Sequence, residues 1–147
     1  YDRNGQVYIQ KLVELEAYVK KRTVEVPSSK RVLVTAHDAF GYFAGAYGFE
    51  VRALQGMSTE SEAGVKDVRI LSDYLVERQL PVVFAESSVP RRYMDALIEA
   101  TSAKGLAVQF GGELYSDALG SANTPAGTYL GMVKHNVDHI VDGLSRP

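Results

Sequence analysis

Three histidines and no cysteine define what this sequence can do with a metal or a proton. His37 stands in "RVLVTAHDAFGYF", where a run of apolar β-formers stops and a helical pattern begins at once. By position alone it is either the flank of a helix cap at Asp38 or a metal ligand or general base. A helix N-terminus disfavours imidazolium and so helps keep the ring neutral, the form a metal needs. Asp117 in "YSDALGS" is either a turn residue or a second ligand. Glu86 in "FAESS" is read as a supporting partner of a ligand rather than a ligand itself. His135 and His139 are four residues apart, a spacing that binds zinc on a helix face, but no third ligand is evident beside them and they read as helix surface. Glu113 is expected to face solvent or bind backbone, and Asp67 and Asp73 to be ordinary surface charges.

These residues need elements to place them. Ile9, Leu12, Val13 and Ala17 recur at helical spacing, so residues 1–22 read as a helix whose basic end, Lys20-Lys21-Arg22, suits the C-terminal dipole. "TVEVPSSK" breaks the pattern. Strands are then expected at "RVLVTA", "FEVRAL", "PVVFAE" and "LAVQFGG". The expected helices are Asp38–Tyr47, Val65–Arg78, Arg91–Ala103 and Thr128–Leu144. Thr59 and Glu62 fit a capping box, and Pro90 sits where a first helical turn tolerates proline. Short apolar strands alternating with amphipathic helices imply an α/β fold: an open parallel four-stranded sheet, expected order 2-1-3-4, with helices on both faces. In such sheets ligands bind beyond the carboxyl ends of the strands, near the switch in strand order. That edge would carry His37, Asp38, Glu86, Ser87, Ser88, Glu113, Ser116 and Asp117.

Composition excludes several classes. The 147 residues suit one compact domain, and 46% apolar with 23% charged is ordinary for a globular chain. The net charge of −2 gives no global pull toward nucleic acid, and Lys20-Lys21-Arg22 and Arg91-Arg92 read as solvated helix ends. Without cysteine there are no disulfides and no thiolate sites. No apolar run is long enough to span a bilayer. The chain opens on Tyr1 with no apolar leader, as expected of a processed chain or an excised piece. There is no G-x-x-x-x-G-K-[ST] loop, no G-x-G-x-x-G after a strand and no G-x-S-x-G elbow. "GGELYSDALG" is Gly-rich without phosphate-loop spacing.

Five ordered segments carry a resemblance: "VTAHDAFGYFAGAYGFEV", "GMSTESEAGVKDV", "VVFAESSVP", "GGELYSDALG" and "TYLGMVKHNVDHIVDGL". Together they resemble the C-terminal half of the metal-binding solute-binding proteins (cluster A-I) of bacterial ABC importers for zinc, manganese or iron. The resemblance implies two α/β lobes joined by a long helix, with a divalent metal held between them by two side chains from each lobe. It makes residues 1–22 all or part of the interlobe helix and residues 23–147 the C-terminal lobe, with the N-terminal lobe absent. The metal ligands it implies are His37, from "HDAF", and Asp117, from "LYSD"; it does not make Glu86 a ligand. Implied partners are the membrane ABC permease and the missing lobe, in a periplasmic or otherwise extracytoplasmic, membrane-associated setting. The parent is expected to be monomeric. The uncovered face, with Tyr42, Phe43, Leu114 and Tyr115, is expected to favour self-association of the fragment. The implied function is metal capture without catalysis. The alternative is a metal-assisted hydrolase with His37 and Asp117 as ligands and Glu86 as base. A third reading is a protein-binding domain in which His37 only flanks a helix.

Overall fold

The computed structural model describes residues 2–56 and 63–145. Helix α1 (Asp2–Thr23) leads through a short 3-10 turn (Ser28–Lys30) to β1 (Val32–His37), α2 (Gly41–Tyr47) and β2 (Glu50–Gln55). Next come α3 (Val65–Arg78), β3 (Val82–Glu86), α4 (Arg92–Ser102), β4 (Gln109–Leu114), a second 3-10 turn (Pro125–Gly127) and α5 (Tyr129–Leu144).

The strands sort their side chains by parity, as a pleated backbone must. Leu33 of β1 and Val82 and Phe84 of β3 join one core with Leu15 and Val19 of α1, Ala44 of α2 and Val137, Ile140 and Val141 of α5. Val32, Val34 and Ala36 of β1 and Val83 and Ala85 of β3 join a second core with Leu71 and Leu75 of α3 and Met94 and Leu97 of α4. Helices therefore cover both faces. The same parity puts His37 and Glu86, the last residues of β1 and β3, on the face toward α1, α2 and α5.

Among the described residues the continuous four-stranded ladder is not formed. β1 pairs with β2 and β3 with β4, both parallel, as two separate two-stranded sheets. β1 and β3 lie against each other without a ladder between them. At the carboxyl end of that seam a side chain takes the place of a strand: the Glu86 carboxylate accepts from Ala36 N at 2.9 Å and His37 N at 3.2 Å.

Strand β4 starts later and runs further than "LAVQFGG". Its glycines lie inside the strand, where Val83 faces Phe110 but Ala85 faces Glu113. Two residues of β3 are thus matched by three of β4, which is a β-bulge at Gly111–Gly112. Gly112 has φ +131°, and a Cβ there would sit 2.5 Å from the His139 ring. Only glycine fits both demands. The extra residue inverts the parity of the rest of the strand: Phe110 borders the α3/α4 core, whereas Leu114 is fully buried in the α1/α5 core.

Helix α2 begins three residues later than expected. Asp38 does not cap it; Phe40 precedes the first turn with no side-chain cap bond. The His37 carbonyl is already engaged by Thr35 Oγ1 at 2.9 Å and Ala39 N at 3.2 Å, in a tight turn before the helix. His37 is therefore not at a helix N-terminus, and the dipole argument for its neutral ring does not apply. At α3 the Asp67 carboxylate accepts from Gly64 N at 2.8 Å, so Asp67 is a cap rather than a plain surface charge. Thr59 and Glu62 lie outside the described residues. Thr128 Oγ1 accepts from Gly131 N to start α5.

Arg22 is not a solvated helix end. Its side chain is only 19% exposed. Nε donates to Asp138 Oδ1 at 3.0 Å, Nη2 to Asp142 Oδ1 at 2.5 Å, and Nη1 to Glu25. Tyr18 donates to the same Asp138 oxygen at 2.6 Å. These bonds tie the last turns of α1 to α5, beside the contacts of Leu15 and Val19. Residues 3–11 of α1 are exposed.

Candidate metal centre

His37 and Asp117 converge although 80 positions separate them in the sequence. His37 closes β1, and Asp117 lies in the turn three residues beyond the end of β4. Nε2 of His37 is 3.4 Å from Asp117 Oδ2. The imidazole is buried, its side chain 3% exposed, whereas the Asp117 carboxylate is 58% exposed. One donor is thus fixed in the core and one sits at the surface above it.

Glu86 lies behind the ring. Its Oε1 is 3.2 Å from His37 Nδ1, but the approach is too far out of line to be a hydrogen bond, and Nδ1 has no hydrogen-bond partner among the described residues. Both carboxylate oxygens are instead held by the β1 amides. Burial pushes the Glu86 carboxyl up to about 7, opposed by the backbone N–H groups of His37 and Ala36 and reinforced by the charge of Asp117. A carboxyl so placed fixes where the strand end, and hence the imidazole, sits.

The other candidates are elsewhere. His135 and His139 are not free helix surface: both are half-buried, with rings stacked at 3.9 Å. His135 Nε2 meets the Glu113 carbonyl at 3.0 Å, and His139 Nδ1 meets the His135 carbonyl at 2.9 Å. Glu113 itself is exposed, and Asp73 pairs with Lys104 at 2.6 Å. Among the described residues no group of three or more His, Cys, Asp or Glu could enclose a metal.

Beside the site runs a groove of about 370 Å³ lined by Phe40, Tyr42, Phe43, Tyr47, Tyr115 and Tyr129. Tyr42 is 99% exposed, but Leu114, expected on this face, is core.

Two neighbours were missed from sequence. Gln55 ends β2 in register with His37, is 7% exposed, and its Oε1 has no hydrogen-bond partner among the described residues. Its signal was a polar residue closing β2 straight after the apolar pair Ala53-Leu54. Asn136 of α5 is buried and bonds both backbone groups of Tyr115. Its signal was an amide in the apolar stripe between Met132 and Ile140.

Residues 1–143 match the family described as "Zinc-uptake complex component A periplasmic" (ZnuA). The chain belongs to this family. Among its curated relatives, the zinc-binding protein TroA of Treponema pallidum is 54% identical over 146 residues, covering 99% of this chain and 47% of that protein. The manganese-binding lipoprotein MntA of Bacillus subtilis is 45% identical over 144 residues, 98% of this chain and 47% of its own length. The iron-binding protein YfeA of Yersinia pestis is 34% identical over 146 residues, 99% of this chain and 45% of its own length. The solved structure of the periplasmic zinc-binding protein TroA superposes with TM-score 0.93 at 54% identity, covering 96% of this chain and 51% of that one. A manganese-bound periplasmic metal-binding protein from Candidatus Liberibacter asiaticus superposes with TM-score 0.82 at 26% identity, covering 98% and 51%. This ZnuA-family chain spans about half the length of the curated relatives it matches.

Proposed function

We propose that this chain is the C-terminal lobe of a two-lobed extracytoplasmic binding protein that captures a divalent transition metal and delivers it to an ABC permease. His37 and Asp117 are this lobe's two ligands, and Glu86 holds the end of β1 that carries His37. In this reading α1 is all or part of the interlobe helix, residues 23–147 are the lobe, and the other lobe supplies the remaining donors.

The observation that carries the reading is the 3.4 Å between His37 Nε2 and Asp117 Oδ2. Two donors bound to one tetrahedral zinc at roughly 2.0–2.1 Å stand about 3.4 Å apart. Two donors are also too few, since zinc sites use three or four protein ligands. That shortfall agrees with a chain half as long as its relatives. An imidazole with one carboxylate suits zinc, manganese or iron alike, the metals named for those relatives.

Binding is favoured over hydrolysis by the state of Glu86. A general base must lie within reach of a metal-bound water. The Glu86 side chain is 0% exposed, with its oxygens turned to the Ala36 and His37 amides, so solvent does not reach it.

The test is zinc and manganese titration of the full-length protein that carries this chain, with H37A and D117A. Both substitutions are expected to weaken binding by at least about tenfold. Unchanged affinity in both would overturn the site.

A further inference from the structure

Asp117 sits beyond the last ladder residue, on a loop that runs without helix or strand until Pro125. Something must fix that loop if the carboxylate is to stay 3.4 Å from His37. We propose that Asn136 is the positioning residue for Asp117, acting through the backbone of Tyr115. This rests on the reading of Asp117 as a ligand.

The geometry is a strand pairing made by a side chain. Tyr115 N donates to Asn136 Oδ1 at 2.9 Å, and Asn136 Nδ2 donates to the Tyr115 carbonyl at 2.7 Å. A carboxamide presents the same donor and acceptor as a peptide group, so Asn136 continues β4 one residue past Leu114. The two bonds also dictate which way the amide points. Asn136 is 8% exposed and comes from α5, whose neighbouring residues are locked by Val137 and Ile140 in the core. Adjacent contacts grip the same segment. Ser87 N donates to the Leu114 carbonyl at 2.9 Å, and the His135 ring lies 4.9 Å from the Tyr115 ring. Ser88 and Ser116 meet at 3.3 Å. Of these only Asn136 satisfies both backbone groups of one residue, two positions before the carboxylate. Aspartate at 136 would accept from Tyr115 N but could not donate to Tyr115 O.

Groups that support a metal ligand typically set affinity by about 10–100-fold. The experiment measures zinc and manganese affinity of the full-length protein by chelator competition, for N136D and N136A, each alone and combined with D117A. Thermal midpoints of the metal-free proteins are recorded alongside. The expected result is a loss of about tenfold or more with Asp117 present, and of less than about threefold in the D117A background. A residue that only stabilises the fold would give equal losses in both backgrounds, and that result overturns the proposal. So does full affinity in both single variants, or failure of both to fold, which would make the amide a folding element. If D117A alone leaves affinity intact, the assignment of Asp117 as a ligand fails first, and this inference fails with it.

Discussion

Glu86 reaches His37 at two points with one oxygen: Oε1 accepts from the His37 amide at 3.2 Å and lies 3.2 Å from ring Nδ1. Its other oxygen takes the Ala36 amide, so a single buried carboxylate closes the seam between two sheets that share no ladder. E86A would orphan two buried N–H groups, each worth roughly 1–3 kcal/mol. The expected loss is about 2–5 kcal/mol in urea denaturation of the metal-free protein. A loss below about 1 kcal/mol would show that water replaces the carboxylate at the seam.

The same carboxyl makes stability pH-dependent. Its native value of about 7 lies above its ordinary 4.5. Between these values the folded state keeps a proton that the unfolded state has released. Its contribution is therefore fully present below pH 4.5 and is lost as the pH rises through about 7. The shift corresponds to roughly 3 kcal/mol. Metal-free wild type is expected to lose stability from pH 5 to 7.5 relative to E86Q, which has nothing to titrate there. Parallel pH profiles for the two proteins would contradict this.

Gly112 tests the bulge. G112A forces an L-residue to φ +131° and drives a methyl to 2.5 Å from His139 Cδ2. Backbone strain of about 1–3 kcal/mol plus overpacking of similar size predicts a loss of about 2–5 kcal/mol. Adding H139A should recover the steric part only, so the pair is expected to be less destabilised than the sum. Strict additivity in thermal denaturation would argue that ring and glycine are not in contact.

Arg22 tests the attachment of α1. R22A leaves Asp138, Asp142 and Glu25 without their shared cation. Because the network is only partly buried, the expected loss is about 1–2 kcal/mol, smaller in high salt. Hydrogen exchange should quicken in residues 15–23 and stay unchanged in β1 and β3. Uniform acceleration would mean that α1 and the sheets open together.

The α/β class, the helix bounds of α1, α3 and α5 and the strand end at His37 were legible because they rest on periodicity and on apolar runs, which are local. What failed was set by contacts that periodicity does not show. Asp38 looked like a cap, yet Thr35 and Ala39 occupy the His37 carbonyl and defer α2. The glycines at 111 and 112 read as the end of a strand, because a bulge is visible only against its partner β3. Arg22 looked solvated because Asp138 and Asp142 are more than a hundred residues away. At the site, types and strand ends brought His37, Glu86 and Asp117 forward together. Gln55 and Asn136 were passed over, since only the register with His37 and the backbone of Tyr115 give them a place at the site.

The bulge also restricts how this strand can change length. One residue removed from Gly111–Gly112 would return β4 to simple alternation and leave Phe110 and Leu114 on the opposite faces they already occupy. A single residue gained or lost between the bulge and Leu114 would instead turn Leu114, and the turn that carries Asp117, to the wrong side of the sheet. Within β4 the glycine pair is therefore the place where one residue can be lost, while the 118–124 loop, beyond Asp117 and mostly exposed, can gain or lose single residues. Natural length variation in this part of the chain should thus gather after the aspartate and, before it, at the glycine pair.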